Sequence, residues 1–134
     1  MPRLYVKASA GHIAYSLDGG EEGYQQLPSN YSQIEADYIA IIYGLTEYFN
    51  KWNKELDTRA KVRTPSDNTK RPLPPPVLVL SDNEVVVRQL NKVCRIEEVR
   101  LVKLAKNIWD MTKNLEVKIE WCSRKENLAR KMLP

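Results

Sequence analysis

The chain has 134 residues, of which 43% are hydrophobic and 28% are charged. These proportions are typical of a soluble globular protein and exclude a disordered chain, and the length suits one domain covering residues 1–134. No apolar run approaches the roughly 18 to 20 residues that a membrane span needs, and no signal-peptide pattern opens the sequence, so we expect a cytoplasmic protein. The formal net charge of +4 is compatible with a nucleic-acid partner but does not single one out.

The first 28 residues read as three strands. Residues 2–10, "PRLYVKASA", alternate apolar and polar side chains with the period of two that a strand requires. Residues 11–17, "GHIAYSL", follow, and the turn signal Asp18-Gly19-Gly20 separates them from residues 21–28, "EEGYQQLP". Together these segments predict a three-stranded antiparallel meander.

A long helix and a loop are predicted next. From Ser32 the apolar residues step by four and three as far as Trp52, which indicates an amphipathic helix of five or six turns. Residues 57–76 have no apolar periodicity and hold five prolines. We interpret them as a basic, proline-rich loop insertion that ends in an extended polyproline segment.

The remaining segments alternate between strand and helix. "VLVL" is typical of a short buried strand, "NEVVVRQLN" of a helix, and residues 94–114 of a second helix. "EVKIEWCS" is a predicted strand, and "RKENLARKML" is predicted to begin a terminal helix. A strand, helix, strand progression after a meander predicts an α/β (mixed α+β) fold, with a five-stranded mixed sheet flanked by helices.

Three predicted helix starts carry the same capping pattern, Ser-x-x-Glu, in which the serine and the glutamate satisfy exposed backbone amides reciprocally. The pattern occurs at Ser32–Glu35, Ser81–Glu84 and Ser123–Glu126. These three glutamates therefore have a predicted structural role, which matters when carboxylates are counted for chemistry.

The cysteines and the histidine have no pattern typical of a site. Cys94 and Cys122 are far apart in the sequence and form no Cys-x-x-Cys pair, so we interpret both as reduced and structural. His12 is the only histidine and lies in the second predicted strand, and we interpret it as structural too.

Four stretches resemble the ribonuclease H family, most clearly its short forms from bacteria, plants and retroelements. They are "YVKASA", "QIEADYIAIIYGL", "SDNEVVVRQL" and "WCSRKENLARKML", in the order that the family has them and covering nearly the whole chain. The resemblance implies a ribonuclease H-like fold. It also implies an ancestral activity, the cleavage of the RNA strand of RNA/DNA hybrids with two divalent ions held by four carboxylates.

Read residue by residue, the four metal-binding positions of that family become Lys7, Asp37, Asp82 and Arg130, so two of the four carboxylates are replaced by cations. An ammonium about 4 Å from a carboxylate contributes on the order of 4 kcal/mol of attraction at an effective dielectric constant near 20. We therefore expect Lys7 and Arg130 to take the place of the metals by pairing with Asp82 and Asp37. No catalytic residue, metal or cofactor is then expected.

The expected function is non-catalytic binding of nucleic acid, an RNA/DNA hybrid or a duplex. The predicted contacts are Lys7, Ser9, Asn83, Gln89, Arg124, Lys125 and Arg130. One alternative is a protein-interaction or structural pseudo-domain. Another is an active ribonuclease H with a rearranged site, in which Glu126 is the best candidate to restore Mg²⁺ or Mn²⁺ binding. The sequence does not indicate an oligomeric state.

Overall fold

A five-stranded mixed sheet forms the centre of the molecule. A computed structural model describes residues 1–28, 30–60 and 73–133, with residues 56–60 described by their backbone only. The strands are β1 (Arg3–Ser9), β2 (His12–Leu17), β3 (Glu21–Gln26), β4 (Val77–Ser81) and β5 (Val117–Trp121), in the spatial order β3-β2-β1-β4-β5. β1, β2 and β3 pair antiparallel, whereas β4 is parallel to both β1 and β5. The predicted meander and mixed sheet are confirmed.

Three α-helices and a terminal 3₁₀ helix accompany the sheet. They are α1 (Gln33–Ala60), α2 (Glu84–Leu90), α3 (Val99–Thr112) and the 3₁₀ helix Leu128–Met132. α1 is longer than predicted, because residues 57–60 of the predicted loop continue the helix; residues 61–72 of that loop lie outside the described residues. No helix in the described ranges is long and apolar enough to cross a membrane.

The second predicted helix begins later than expected, at Val99 instead of residue 94. The backbone amides of Val93 and Cys94 donate to the carbonyl oxygen of Arg88, which closes a turn at the end of α2. These hydrogen bonds satisfy the exposed end of α2, and the chain needs the residues up to Glu98 to reach α3.

The capping box predicted at Ser32 forms: the Ser32 amide donates to Glu35 Oε1 at 3.4 Å, and the Glu35 amide donates to Ser32 Oγ at 3.3 Å. The box predicted at Ser123 forms in part, with the Glu126 amide donating to Ser123 Oγ at 3.3 Å and the Ser123 hydroxyl donating to Glu126 at 2.8 Å. The second box closes a turn rather than an α-helix, because the chain continues as the 3₁₀ helix. The box predicted at Ser81 is wrong, because that residue ends β4 and the cap of α2 is Asn83, whose side chain accepts from the amide of Val86.

The two faces of the sheet are covered unequally. α1 and α3 cover one face, where the main core contains Leu4, Val6, Ile13, Tyr38, Ile41, Leu45 and Ile108. The other face carries a smaller cluster beneath the 3₁₀ helix, made of Tyr5, Ala14, Leu80, Cys122 and Ala129. Both cysteines have free thiols; Cys122 is buried in this cluster and Cys94 is exposed. Because side chains alternate along a strand, Lys7 and Ser9 lie on the face with the smaller cluster.

The packing of β3 against α1 depends on the absence of a side chain at Gly23. A Cβ atom there would overlap the ring of Tyr15 and lie 2.7 Å from the hydroxyl of Tyr43. We expect Gly23→Ala to lower the free energy of unfolding by about 2 kcal/mol, because such crowding displaces core side chains. Gly20→Ala is the matched control, since its Cβ would meet only the Leu17 carbonyl oxygen at 3.6 Å. Equal urea midpoints for the two variants would contradict this expectation.

Candidate nucleic-acid interface at the Lys7–Asp82 site

The ends of two parallel strands bring Lys7 and Asp82 together. β1 and β4 are parallel, with Val6 opposite Ser81. The residues that follow them, Lys7 and Asp82, therefore lie at the same end of the sheet. Lys7 Nζ lies 2.5 Å from Asp82 Oδ2, and the two side chains are only 12% and 11% exposed. The predicted ion pair between these residues is confirmed. It is charge-assisted and largely shielded from water, the setting in which such pairs are strongest.

Asp37 reaches the same site from the second turn of α1 and is 5% exposed. Its Oδ2 accepts from Asn83 Nδ2 at 2.8 Å and from Gln33 Nε2 at 3.2 Å. Gln33 Nε2 also donates to the carbonyl oxygen of Ala8 at 2.8 Å, which fixes the start of α1 against the end of β1. Two neutral amides therefore hold the Asp37 carboxylate, and the predicted pairing of Asp37 with Arg130 is wrong.

Asn127, rather than Arg130, is the residue of the C-terminal segment that reaches the site. It is 3% exposed, and its Nδ2 donates to the carbonyl oxygen of Val6 at 2.9 Å and to Asp82 Oδ2 at 3.3 Å. Its Oδ1 accepts from the amide of Ala129 and so caps the 3₁₀ helix. Arg130 is exposed on that helix and makes no ion pair within the described ranges.

The site therefore retains a negative formal charge. Lys7 contributes one positive charge, Asp37 and Asp82 contribute two negative charges, and Asn127 is neutral. The net value is −1 rather than the zero that two cations and two carboxylates would give, because the expected second cation, Arg130, lies outside. The Lys7 ammonium pairs with Asp82, so Asp37 has no direct cationic partner in the described part of the chain.

Burial raises the pKa of Asp37 above its ordinary value. The hydrogen bonds from Asn83 and Gln33 oppose this rise, the Asp82 carboxylate adds to it, and the Lys7 ammonium lowers it. The folded protein thus holds this proton to a higher pH than the unfolded chain does. The stability that Asp37 contributes is fully present below the ordinary pKa and is lost as the pH rises through the raised pKa.

We expect Asp37→Asn to raise the free energy of unfolding at pH 7 by about 1 kcal/mol, because it removes a buried charge and keeps an oxygen acceptor for the two amides. The gain should shrink as the pH falls to where the parent carboxyl is protonated. Asp82→Asn is the matched control and should destabilise the protein, because it removes the partner of Lys7. Urea unfolding from pH 3 to pH 8 measures both, and a loss of stability in both variants at pH 7 would contradict the expectation.

Four of the seven predicted nucleic-acid contacts line one cavity of about 460 Å³: Lys7, Ser9, Asn83 and Arg124. Gln89 does not line this cavity; it is 8% exposed and accepts from the Tyr38 hydroxyl at 2.7 Å. Lys125 and Arg130 are exposed on the C-terminal segment outside the cavity lining.

The residues present do not fit a pair of divalent ions. Within the described residues, no group of three or more His, Cys, Asp or Glu side chains is placed to hold a metal ion. The Lys7 ammonium bonds to Asp82, one of the two site carboxylates, and the Asn127 side chain that also donates to Asp82 is a neutral amide. Glu126, the candidate for restoring the site, is exposed and accepts from the Ser123 hydroxyl in its capping box.

The sequence matches neither a known protein-family model nor a curated protein. Solved structures do match. Ribonuclease H1 from the halophilic archaeon Halobacterium salinarum superposes with a TM-score of 0.69 at 16% identity, over 98% of this chain and 92% of that one.

Two further solved structures also match over nearly the whole length of this chain. LC11-RNase H1 in complex with an RNA/DNA hybrid has a TM-score of 0.66 at 17% identity, covering 95% of this chain and 88% of that one. The N-terminal RNase H domain of a Mycobacterium tuberculosis protein has a TM-score of 0.66 at 18% identity, covering 97% and 91%. At such identities the likeness concerns the fold, and the fold of this chain is ribonuclease H-like.

Proposed function

We propose that this chain is a catalytically inactive ribonuclease H-like domain that binds nucleic acid, an RNA/DNA hybrid or a duplex, without cleaving it. The observation that carries the proposal is the Lys7 ammonium 2.5 Å from Asp82. Hydrolysis with two metal ions needs a concentration of carboxylates that hold both ions beside the substrate phosphate. An ammonium in that place repels a divalent ion and already occupies one of the two carboxylates.

The rim of the cavity supports binding. Arg124 lines it and pairs with no carboxylate within the described ranges, so its guanidinium is available for a phosphate. Lys125 and Arg130 are exposed on the same short segment. One solved structure with this fold, that of LC11-RNase H1, is a complex with an RNA/DNA hybrid. A cationic rim of this kind binds the backbone of a nucleic acid rather than its bases.

Salt dependence of binding tests the proposal. We expect gel shifts with an RNA/DNA hybrid and with duplex DNA whose affinity falls steeply between 50 and 200 mM salt, since phosphate contacts release counterions. The triple variant Arg124→Ala, Lys125→Ala, Arg130→Ala should reduce the slope of log affinity against log salt by about 2 to 3.

The matched control removes two exposed cations, Lys103 and Lys106, from α3, which packs on α1 at the opposite face of the sheet. That double variant should keep the parent's slope. If neither the hybrid nor the duplex is bound at 50 mM salt, the proposal is wrong and the protein-interaction alternative replaces it. If both variants change the slope equally, the cavity rim is not the interface.

A further inference from the structure

A pair of stacked rings, a half-buried His12 and an exposed Tyr24, lies on the less covered face of the sheet. The rings of His12 and Tyr24 have centroids 5.2 Å apart and planes inclined by only 14°. Tyr24 is 53% exposed, although it belongs to a strand. The His12 ring is held by its Nδ1, which donates to the carbonyl oxygen of Ala10 at 3.1 Å. The His12 ring thus holds the Tyr24 ring in one orientation, while much of the Tyr24 side chain stays open to solvent.

The pair adjoins the candidate interface. β1 ends at Ser9, β2 begins at His12 and β3 ends at Gln26, so the pair lies toward the end of the sheet that carries Lys7 and Asp82. Ser9 and His12 are directly opposite each other in the β1–β2 register. Side chains of such pairs lie about 5 Å apart on the same face. Because Ser9 also lines the cavity, it places the edge of the cavity next to the stacked rings.

The charges around the rings permit a phosphate to approach. Glu22 lies two residues before Tyr24 and therefore on the same face of β3. Its carboxylate lies 2.7 Å from Lys131 Nζ, which neutralises it. Glu21 points to the opposite face and pairs with Lys51 on α1. Neither carboxylate of β3 is left unpaired to repel a nucleic-acid backbone.

We propose that the His12–Tyr24 pair is a stacking platform for one unpaired nucleobase that extends from a nucleic acid held at the cavity. This inference rests on the proposed function. A fixed, exposed aromatic ring offers a flat surface to any base, because every base has a π face, and stacking of this kind needs no sequence recognition. The platform would therefore favour a hybrid with a single-stranded extension over a blunt one.

The test compares two probes by fluorescence anisotropy: a blunt 12-base-pair RNA/DNA hybrid, and the same hybrid with four unpaired nucleotides added at each end in turn. For the parent we expect about tenfold tighter binding of one overhanging probe, the scale of one stacked base. Tyr24→Leu should abolish this gain and leave binding of the blunt hybrid unchanged, and Tyr24→Phe should retain it. Gln25→Ala, which alters the opposite face of β3, should behave as the parent does.

The outcomes separate this inference from the proposed function. Binding of the blunt hybrid with no gain from either overhang, or a gain that survives in Tyr24→Leu, overturns the platform and leaves the proposed function standing. Equal weakening of blunt and overhanging probes by Tyr24→Leu also overturns it, because that result means a general effect on the fold or the interface. Failure to bind both the blunt hybrid and a blunt DNA duplex of the same length contradicts the proposed function itself.

Discussion

Replacing Lys7 by methionine is expected to lower the free energy of unfolding by about 3 kcal/mol. The variant leaves two carboxylates, Asp37 and Asp82, in one poorly hydrated site without the ammonium that balances part of their negative charge. Breaking a shielded pair costs this much chiefly because the remaining charge stays unpaired, and methionine keeps the volume of the removed side chain. Urea unfolding at pH 7 measures the change.

A matched control for this variant is Lys51→Met. Lys51 also pairs with a carboxylate at a short distance, 2.7 Å to Glu21, but its side chain is 45% exposed. Pairs of this kind contribute less than about 1 kcal/mol, so the control should lose little. The double variant Lys7→Met, Asp82→Asn should recover much of the loss, since it also removes the unpaired charge. Equal effects of Lys7→Met and Lys51→Met would contradict the central role given to the Lys7–Asp82 pair.

Replacing Lys7 by aspartate is expected to create a metal site. Three carboxylates, at positions 7, 37 and 82, would then converge on one cavity, the ligand set that Mg²⁺ and Mn²⁺ prefer. Without metal the variant should be less stable than the parent, because like charges meet at close range. With Mn²⁺ at 100 times its dissociation constant, binding should restore about 2.7 kcal/mol. A thermal shift that depends on Mn²⁺ concentration measures this.

Lys7→Asn is the control for the gain of metal binding. It removes the ammonium without adding a carboxylate, so any Mn²⁺-dependent rise in melting temperature should be much smaller than that of Lys7→Asp. The parent should show no such rise. If Mn²⁺ stabilises the parent as strongly as it stabilises Lys7→Asp, then Lys7 does not exclude the metal from this site and the proposed inactivity loses its basis.

The parts of the site that depend on regular structure could be predicted from the sequence. Lys7 lies near the carboxyl end of an alternating strand and Asp82 follows an apolar one, and parallel neighbours present their carboxyl ends at the same edge of a sheet. The position of Asp37 near the start of a long amphipathic helix brings it to the same edge. For these three residues, the family resemblance and the local sequence pattern predict the same position at one edge of the sheet.

The last position could not be predicted in this way. A regular terminal helix would have made Arg130 a reasonable fourth residue, but the chain forms a turn and a short 3₁₀ helix instead. In that tighter geometry the capping residue Asn127 points inward and Arg130 lies outside. The signal was present in the sequence, since asparagine is a preferred cap, but the Ser-x-x-Glu pattern just before it suggested an α-helical start.

Gln89 shows a second limit of sequence reasoning. A polar residue on a short helix is usually exposed, and the resemblance suggested a contact with nucleic acid. In the structure Gln89 is buried beside Leu90 and is satisfied by the hydroxyl of Tyr38, which comes from the long helix α1. A hydrogen bond between residues that far apart in the chain depends on how α1 and α2 pack, which no local pattern reveals.

The most direct test of the central claim is a cleavage assay at a protein concentration that fully shifts the labelled RNA/DNA hybrid in a gel. Mg²⁺ or Mn²⁺ is added, and the RNA strand is analysed on a denaturing gel beside an active ribonuclease H1. We predict a fully bound hybrid and an intact RNA strand with either metal. RNA fragments that require the metal and increase with time would contradict the proposal, because they would show that Lys7 does not prevent metal-dependent cleavage.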